Sequence, residues 1–103
     1  MLPVEISIQV ILKAICQIYD VDQIVLASPL RSDRLSLIRG AAALFVRQKG
    51  HSLEDLAKIF KRDGSSLSRL MQRFSRRYAC NVDVQNQYRN LEEIAERFAD
   101  MQA

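Results

Sequence analysis

The sequence predicts an all-α fold, a bundle of about six helices. Apolar residues recur at helical spacing along the 103-residue chain, and the alternation of apolar and polar residues that is typical of strands is absent. Only 3 glycines and 2 prolines interrupt the pattern. Because 49% of the residues are apolar, a chain of this length can bury a modest core, and we expect one domain over residues 1–103.

The N-terminal third predicts a long helix, a short helix and a basic loop. The first helix covers about residues 5–19 and the second about residues 21–27. The loop covers about residues 28–34, because Ser28 precedes a proline and such residues avoid helical conformation. The apolar residues expected to face the core are Ile8, Ile11, Leu12, Ile15, Ile18, Tyr19, Val21, Ile24 and Val25.

A third helix is predicted over about residues 34–49, and Gly50 ends it, as glycine commonly does. Residues 40–43 read Gly-Ala-Ala-Ala, so one part of the helix surface is small and lets a neighbouring helix pack closely. The side chains expected to be buried are Leu37, Ala41, Leu44 and Phe45.

Residues 52–78 predict two helices joined by a tight polar turn, which is a helix-turn-helix. Ser52 is placed to cap the first helix. A last helix is predicted over about residues 83–101. The inward-facing residues of these three helices are Leu53, Leu56, Ala57 and Phe60, then Leu67, Leu70, Met71 and Phe74, then Tyr88, Leu91, Ile94, Ala95 and Phe98. Apolar stripes of this kind are interpreted as core, not as ligand sites.

Charge is unevenly distributed along the chain, although the net charge is only +3. Between Arg31 and Tyr78 lie twelve Lys or Arg and four Asp or Glu, a net charge of +8. The two flanks hold three basic and eight acidic residues, a net charge of −5. A basic centre between acidic ends is typical of a nucleic-acid surface, and a solvated basic face is the alternative.

The sequence gives no sign of an enzyme, a metal site or a membrane span. His51 is the single histidine, and no nucleophile–histidine set, zinc-protease motif or phosphate-binding loop is present. Cys16 and Cys80 stand alone without a CxxC pair. No apolar run approaches the roughly 18 residues of a membrane span, and no signal peptide is recognisable. We expect a cytoplasmic protein that is not an enzyme and needs no cofactor or metal.

The turn and the start of the second helix carry groups suited to DNA. Arg62 can meet a phosphate or a guanine edge, and Asp63 can cap the helix or accept from cytosine N4. Ser65 and Ser66 lie in the first helical turn, where hydroxyls reach base edges or phosphates. The alternative is an ordinary cap and a solvated turn. The preceding helix and the basic loop at Arg31 favour the DNA interpretation.

Further arginines extend this positive charge. Arg69 and Arg73 follow along the second helix, where they are expected to track the DNA backbone, and Arg76 and Arg77 continue the series. Arg34 adds a second charge to the basic loop. The predicted DNA-binding residues are therefore Arg31, Arg34, Arg62, Asp63, Ser65, Ser66, Arg69 and Arg73.

Over nearly its whole length the chain resembles the C-terminal DNA-binding domain of the bacterial replication initiator DnaA. The resemblance runs from the helix ending in Tyr19, through the basic loop, to His51-Ser52-Leu53 and the turn before Ser65. The family signature at that turn is Gly-Gly-Arg-Asp-His-Thr-Thr-Val, and this chain has Lys61-Arg62-Asp63-Gly64-Ser65-Ser66-Leu67.

The resemblance implies a role for each matching residue. Arg62 and Asp63 match the Arg-Asp pair that contacts DNA in the major groove. Ser65 and Ser66 match the two threonines that divide between base and phosphate. Arg31 lies in the loop whose arginine enters the adjacent minor groove in that family.

Two departures from the family pattern alter the expected specificity. The turn has one glycine fewer, and Gly64 stands where the family has the histidine that helps to read its DNA box. Serine in place of threonine also removes methyl groups that can touch thymine. We therefore expect DNA binding with a different sequence preference.

The expected partner is double-stranded DNA, bound as a monomer at the nucleoid. The ATPase module of the initiator is absent from these residues, so we expect a domain that targets a larger replication- or transposase-related protein. The alternative is a helical protein-interaction module that keeps the fold without DNA binding.

Overall fold

The computed structural model describes residues 6–102, and this part of the chain contains six α-helices. They are α1 (Ile8–Tyr19), α2 (Gln23–Leu26), α3 (Asp33–Gln48), α4 (Leu53–Phe60), α5 (Gly64–Cys80) and α6 (Val82–Gln102). The all-α prediction is thereby confirmed, and no strand occurs between residues 6 and 102. The predicted start of the first helix, residue 5, lies outside the described residues.

Serine side chains begin three of the helices. The hydroxyls of Ser7, Ser32 and Ser52 accept hydrogen bonds from the backbone N–H groups three residues later, at 3.2, 3.0 and 3.3 Å. The cap at Ser52 was predicted. At the other end of α1, Asp20 takes a left-handed conformation with φ of 51°, which ends the helix at Tyr19.

Helix α3 lies at the centre of the bundle. It packs against α5 more extensively than any other pair of helices packs, and it also contacts α1 and α4. Its central position explains why both of its faces are largely buried, including Leu35, Ile38, Ala42 and Val46, which the sequence pattern had not placed in the core. The predicted Ala41 and Phe45 are buried, and Leu37 and Leu44 are half-buried.

The first and last helices, α1 and α6, pack against each other and complete the bundle. Helix α6 packs against α1 and α5, and its buried residues include Tyr88, Leu91 and Ala95, as predicted. The Tyr88 ring packs against Phe45 and Phe74 with centroid separations of 5.8 and 5.5 Å, and its hydroxyl donates to Gln48 Oε1 at 2.6 Å. This aromatic cluster joins α3, α5 and α6.

The core assignment of Ile24 was wrong. Its side chain is 84% exposed, and the buried residue of α2 is Leu26. Helix α2 has only 4 residues, so it has one inward position and no room for an apolar stripe. In the described chain, moreover, none of the helices combines the length and the apolar character that crossing a membrane requires.

Gly40 allows α3 and α5 to approach closely, as the small residues at 40–43 predicted. A Cβ atom added at Gly40 lies 2.4 Å from the carbonyl oxygen of Leu70 and 2.9 Å from Cβ of Phe74. Both obstacles belong to or adjoin the α5 backbone, so relief requires a movement of the helix and not of one side chain. Contact at this residue thus fixes the position of α5.

Gly40→Ala is expected to lower the free energy of unfolding by roughly 1–3 kcal/mol, because overpacking outweighs the roughly 1 kcal/mol gain in helix propensity. Gly64→Ala is the matched control, since nothing lies within 4 Å of a Cβ atom built there. Urea titration followed by circular dichroism measures both variants. Equal stability of the two would contradict the close approach at Gly40.

Candidate nucleic-acid interface

Helices α4 and α5 are joined by the three residues Lys61, Arg62 and Asp63. Lys61 takes a left-handed conformation with φ of 55°, and the Arg62 N–H donates to the Ala57 carbonyl at 2.9 Å. These features end α4 sharply and start α5 at Gly64. Leu56, Phe60, Leu67 and Phe74 anchor the pair to the core, which leaves the outer side of α5 exposed.

The basic loop covers residues 27–32, so it ends earlier than the predicted residue 34. The reason is the Ser32 cap, followed by Asp33 in the first turn of α3, where a carboxylate is favoured by the helix dipole. Arg34 therefore belongs to α3 and not to the loop. Arg31 remains in the loop and is exposed.

Arg34 links α3 to the end of α1. Its Nη2 donates to the carbonyls of Tyr19 and Asp20, the latter at 3.0 Å. Carbonyls at a helix C-terminus have no partner within the helix, and a guanidinium satisfies them well. Arg34 consequently acts within the fold, and it does not line the cleft that gathers the other cations.

Arg39 is buried, with 2% of its surface exposed, and sequence reasoning missed it. Its guanidinium donates to carbonyls of α2 and the loop: Nε to Leu26 at 3.1 Å, Nη1 to Leu30 at 2.9 Å, and Nη2 to Ser28 and Val25 at 3.2 and 3.3 Å. The signal was its spacing, since Leu35, Arg39, Ala42 and Val46 form one stripe of buried positions.

Arg62 also holds the loop. Its Nη2 donates to the carbonyls of Ser28 and Leu30 at 3.1 and 3.4 Å. Arg39 contacts the same two carbonyls. The sequence interpretation had directed this side chain to a phosphate or a guanine. In the structure it braces the loop against the turn between α4 and α5 while still lining the cleft.

A cationic cleft of about 610 Å³ lies between the loop, α3 and α5. Its charged lining consists of six cations and one carboxylate: Arg31, Arg39, Lys61, Arg62, Arg69, Arg73 and Asp63. Burial lowers the pKa of Arg39, and the positive charges of Arg62 and Arg31 lower it further. The cleft therefore gathers positive charge around a buried guanidinium, and such a concentration of cations favours anions.

The predicted site residues are brought together only in part. Arg31, Arg62, Asp63, Ser66, Arg69 and Arg73 line the cleft. Ser65 is exposed beside it on the first turn of α5, and Arg34 lies elsewhere. Arg39 and Lys61 join the set without having been predicted as site residues.

Asp63 occupies the N-cap position of α5, but the capping hydrogen bond, one of the two roles that the sequence allowed, is not formed. Its backbone is extended, with φ of −72° and ψ of 147°, so only its carbonyl takes part, as the acceptor from Leu67 N at 3.1 Å. The carboxylate is exposed in the cleft among cations. Hence Asp63 is free to accept a hydrogen bond from outside the chain.

The remaining reactive side chains lie apart from the cleft. His51 Nε2 is 2.6 Å from the Ile6 carbonyl, so the ring ties the α3–α4 connection to the start of α1. Cys16 and Cys80 are free thiols, and burial raises the pKa of Cys16. Between residues 6 and 102, no three His, Cys, Asp or Glu side chains are grouped so as to hold a metal ion.

Comparison with known proteins returned no match: no family model fits the chain, and no curated protein or solved structure resembles it significantly. The resemblance to the initiator domain therefore rests on the residues of the signature region and on their order along the chain.

Arg34→Ala is expected to destabilise the fold by about 1 kcal/mol, because it removes hydrogen bonds to the carbonyls at the end of α1. Arg31→Ala is the matched control, since it removes an exposed arginine of the loop and should leave the unfolding midpoint nearly unchanged. Thermal unfolding of the two variants distinguishes these roles. If the unfolding midpoint fell for Arg31→Ala and not for Arg34→Ala, Arg31 and not Arg34 would be the structural residue.

Proposed function

We propose that the chain is a duplex-DNA-binding module that inserts α5 into the major groove and the loop at residues 27–32 into the adjacent minor groove. The observation that carries the proposal is the cationic cleft, which separates these two elements. A DNA backbone also separates a major groove from its neighbouring minor groove, so phosphates are the natural occupants of a positive cleft in this position.

The exposed start of α5 supports the major-groove part of the proposal. Its first turn presents Ser65, Ser66 and the free carboxylate of Asp63, which are groups able to hydrogen-bond base edges. Arg69 follows Ser66 by three residues and Arg73 follows Arg69 by four, so both extend the same side of the helix along the cleft. Helix N-termini that read bases while later residues hold phosphates are the rule in helix-turn-helix proteins.

Arg31 supports the minor-groove part. It is exposed in a loop whose backbone Arg39 holds at two carbonyls, those of Ser28 and Leu30, so the side chain projects from a defined support. Arginine is well suited to the minor groove because its charge is attracted to the negative potential there. The resemblance to the initiator domain adds the same assignment from the sequence.

The wider proposal is a binding role without catalysis, cofactor or metal. The bound form is a monomer, and the module targets a larger replication- or transposase-related protein to DNA in the cytoplasm, at the nucleoid. Gly64 at the position of the family histidine supports a preferred sequence that differs from the initiator box.

An alternative function is a helical protein-interaction module. It is favoured by the exposed acidic residues of α6, Glu92, Glu93 and Glu96, which DNA would repel. These residues follow α5 on a separate helix, and none of them lines the cationic cleft. DNA binding accounts for the cleft, and the alternative does not.

DNA affinity is expected to fall steeply with salt, with a log–log slope of about −0.9 for each phosphate neutralised. Arg31→Ala should weaken binding and make the slope shallower by about 0.9, because one phosphate or groove contact is lost. Selection from a random duplex library, followed by titration at several salt concentrations, measures both effects. Arg97→Ala, an exposed arginine of α6, is the control. No enrichment and no salt-sensitive binding by the parent protein would favour the interaction module.

Ser65 and Ser66 are expected to differ in what they contact. Ser65→Ala should change base preference, because Ser65 is exposed and does not line the cleft, whereas Ser66→Ala should weaken all sequences alike. Affinities for a panel of single-base variants of the selected site separate the two patterns. A uniform loss for Ser65→Ala would place its hydroxyl on a phosphate.

A further inference from the structure

We infer that Arg39 is a positioning residue for DNA binding, which holds the minor-groove loop in its binding conformation without itself reading a base. The inference rests on the proposed function of the cleft. It concerns a side chain that the sequence pattern had not singled out and that is nearly inaccessible from outside, with 2% of its surface exposed.

The contacts of Arg39 determine the shape of the loop. A buried guanidinium is costly unless its N–H groups are satisfied, and here three of its nitrogens donate to four carbonyls. The acceptors lie at Val25 and Leu26, at the end of α2, and at Ser28 and Leu30 in the loop. One side chain of α3 therefore fixes the path of the chain over six consecutive residues, and that path ends one residue before Arg31.

The chemistry of this contact explains why an arginine is required. The four carbonyls surround the guanidinium on different sides, and only a planar guanidinium offers several N–H donors that point in correspondingly different directions. Lysine carries the same charge but has a single nitrogen and cannot reach all four acceptors. Methionine fills the space but leaves the carbonyls of a buried turn without donors.

Arg62 links the loop to α5. It shares the Ser28 and Leu30 carbonyls with Arg39 and lies in the turn immediately before α5. Through these shared acceptors, the loop and α5 keep a fixed spacing. Loss of Arg39 is expected to release the loop from the end of α2, because Arg62 contacts the Ser28 and Leu30 carbonyls but not those of Val25 and Leu26.

The test is a double-mutant cycle on DNA affinity with Arg39→Lys and Arg31→Ala. In the parent protein, Arg31→Ala should weaken binding to the selected duplex severalfold. In the Arg39→Lys background, the same change should have little further effect, because a loop that is no longer held in place does not present Arg31 to the minor groove. Affinities are corrected for the folded fraction measured by circular dichroism.

An equal loss from Arg31→Ala in both backgrounds would overturn the inference, since Arg39 would then act on general stability alone. Arg47→Lys, at an exposed arginine of the same helix, is the matched control and should leave the cycle unchanged. If Arg39→Lys does not fold, Arg39→Gln keeps two N–H donors and serves in its place.

Hydrogen exchange separates this inference from the proposed function, because it needs no DNA. Arg39→Lys should increase exchange of the amides at Ala27 and Ser28, which bond to carbonyls of α2, while α5 keeps its protection. Unchanged protection of these amides would refute the positioning role even if the protein binds DNA. If exchange increases in Arg39→Lys but the parent protein does not bind DNA, Arg39 does hold the loop and the proposed function is wrong.

Discussion

The close contact between α3 and α5 at Gly40 is the constraint on which the rest of the structure depends. It sets how near the exposed helix α5 lies to the centre of the bundle, and the preceding residue, Arg39, sets the path of the loop. Two adjacent residues of one buried helix therefore position the two elements on either side of the cleft.

The cleft places positive charges close together, and this proximity has an energetic cost to the isolated protein. Arg39 lies within the influence of both Arg31 and Arg62, and these charges disfavour its protonated form. Carbonyl dipoles, and not carboxylates, compensate the buried charge of Arg39.

Periodicity was sufficient to predict the helices and most of the core, because amphipathic stripes report directly on which side of a helix is buried. It failed for α2, where Ile24 is exposed because 4 residues are too few to define a stripe. Arg39 and the true contacts of Arg62 depend on carbonyls that lie far away in the sequence, and no local pattern encodes them. For Asp63 the sequence left two roles open, a helix cap and a base contact, and its side chain makes no capping hydrogen bond. For Arg34, the serine cap two residues earlier was the local signal that placed it in the helix.

The loop is held by its main chain and not by its side chains. Arg39 and Arg62 bind carbonyl oxygens, and every amino acid supplies a carbonyl oxygen in the same place. Leu30, whose side chain is 60% exposed, and its neighbour Arg31 are thus free to be replaced without loss of the backbone shape. This separation of shape from surface means that substitutions at residues 30 and 31 can change what the loop exposes while its backbone framework stays the same.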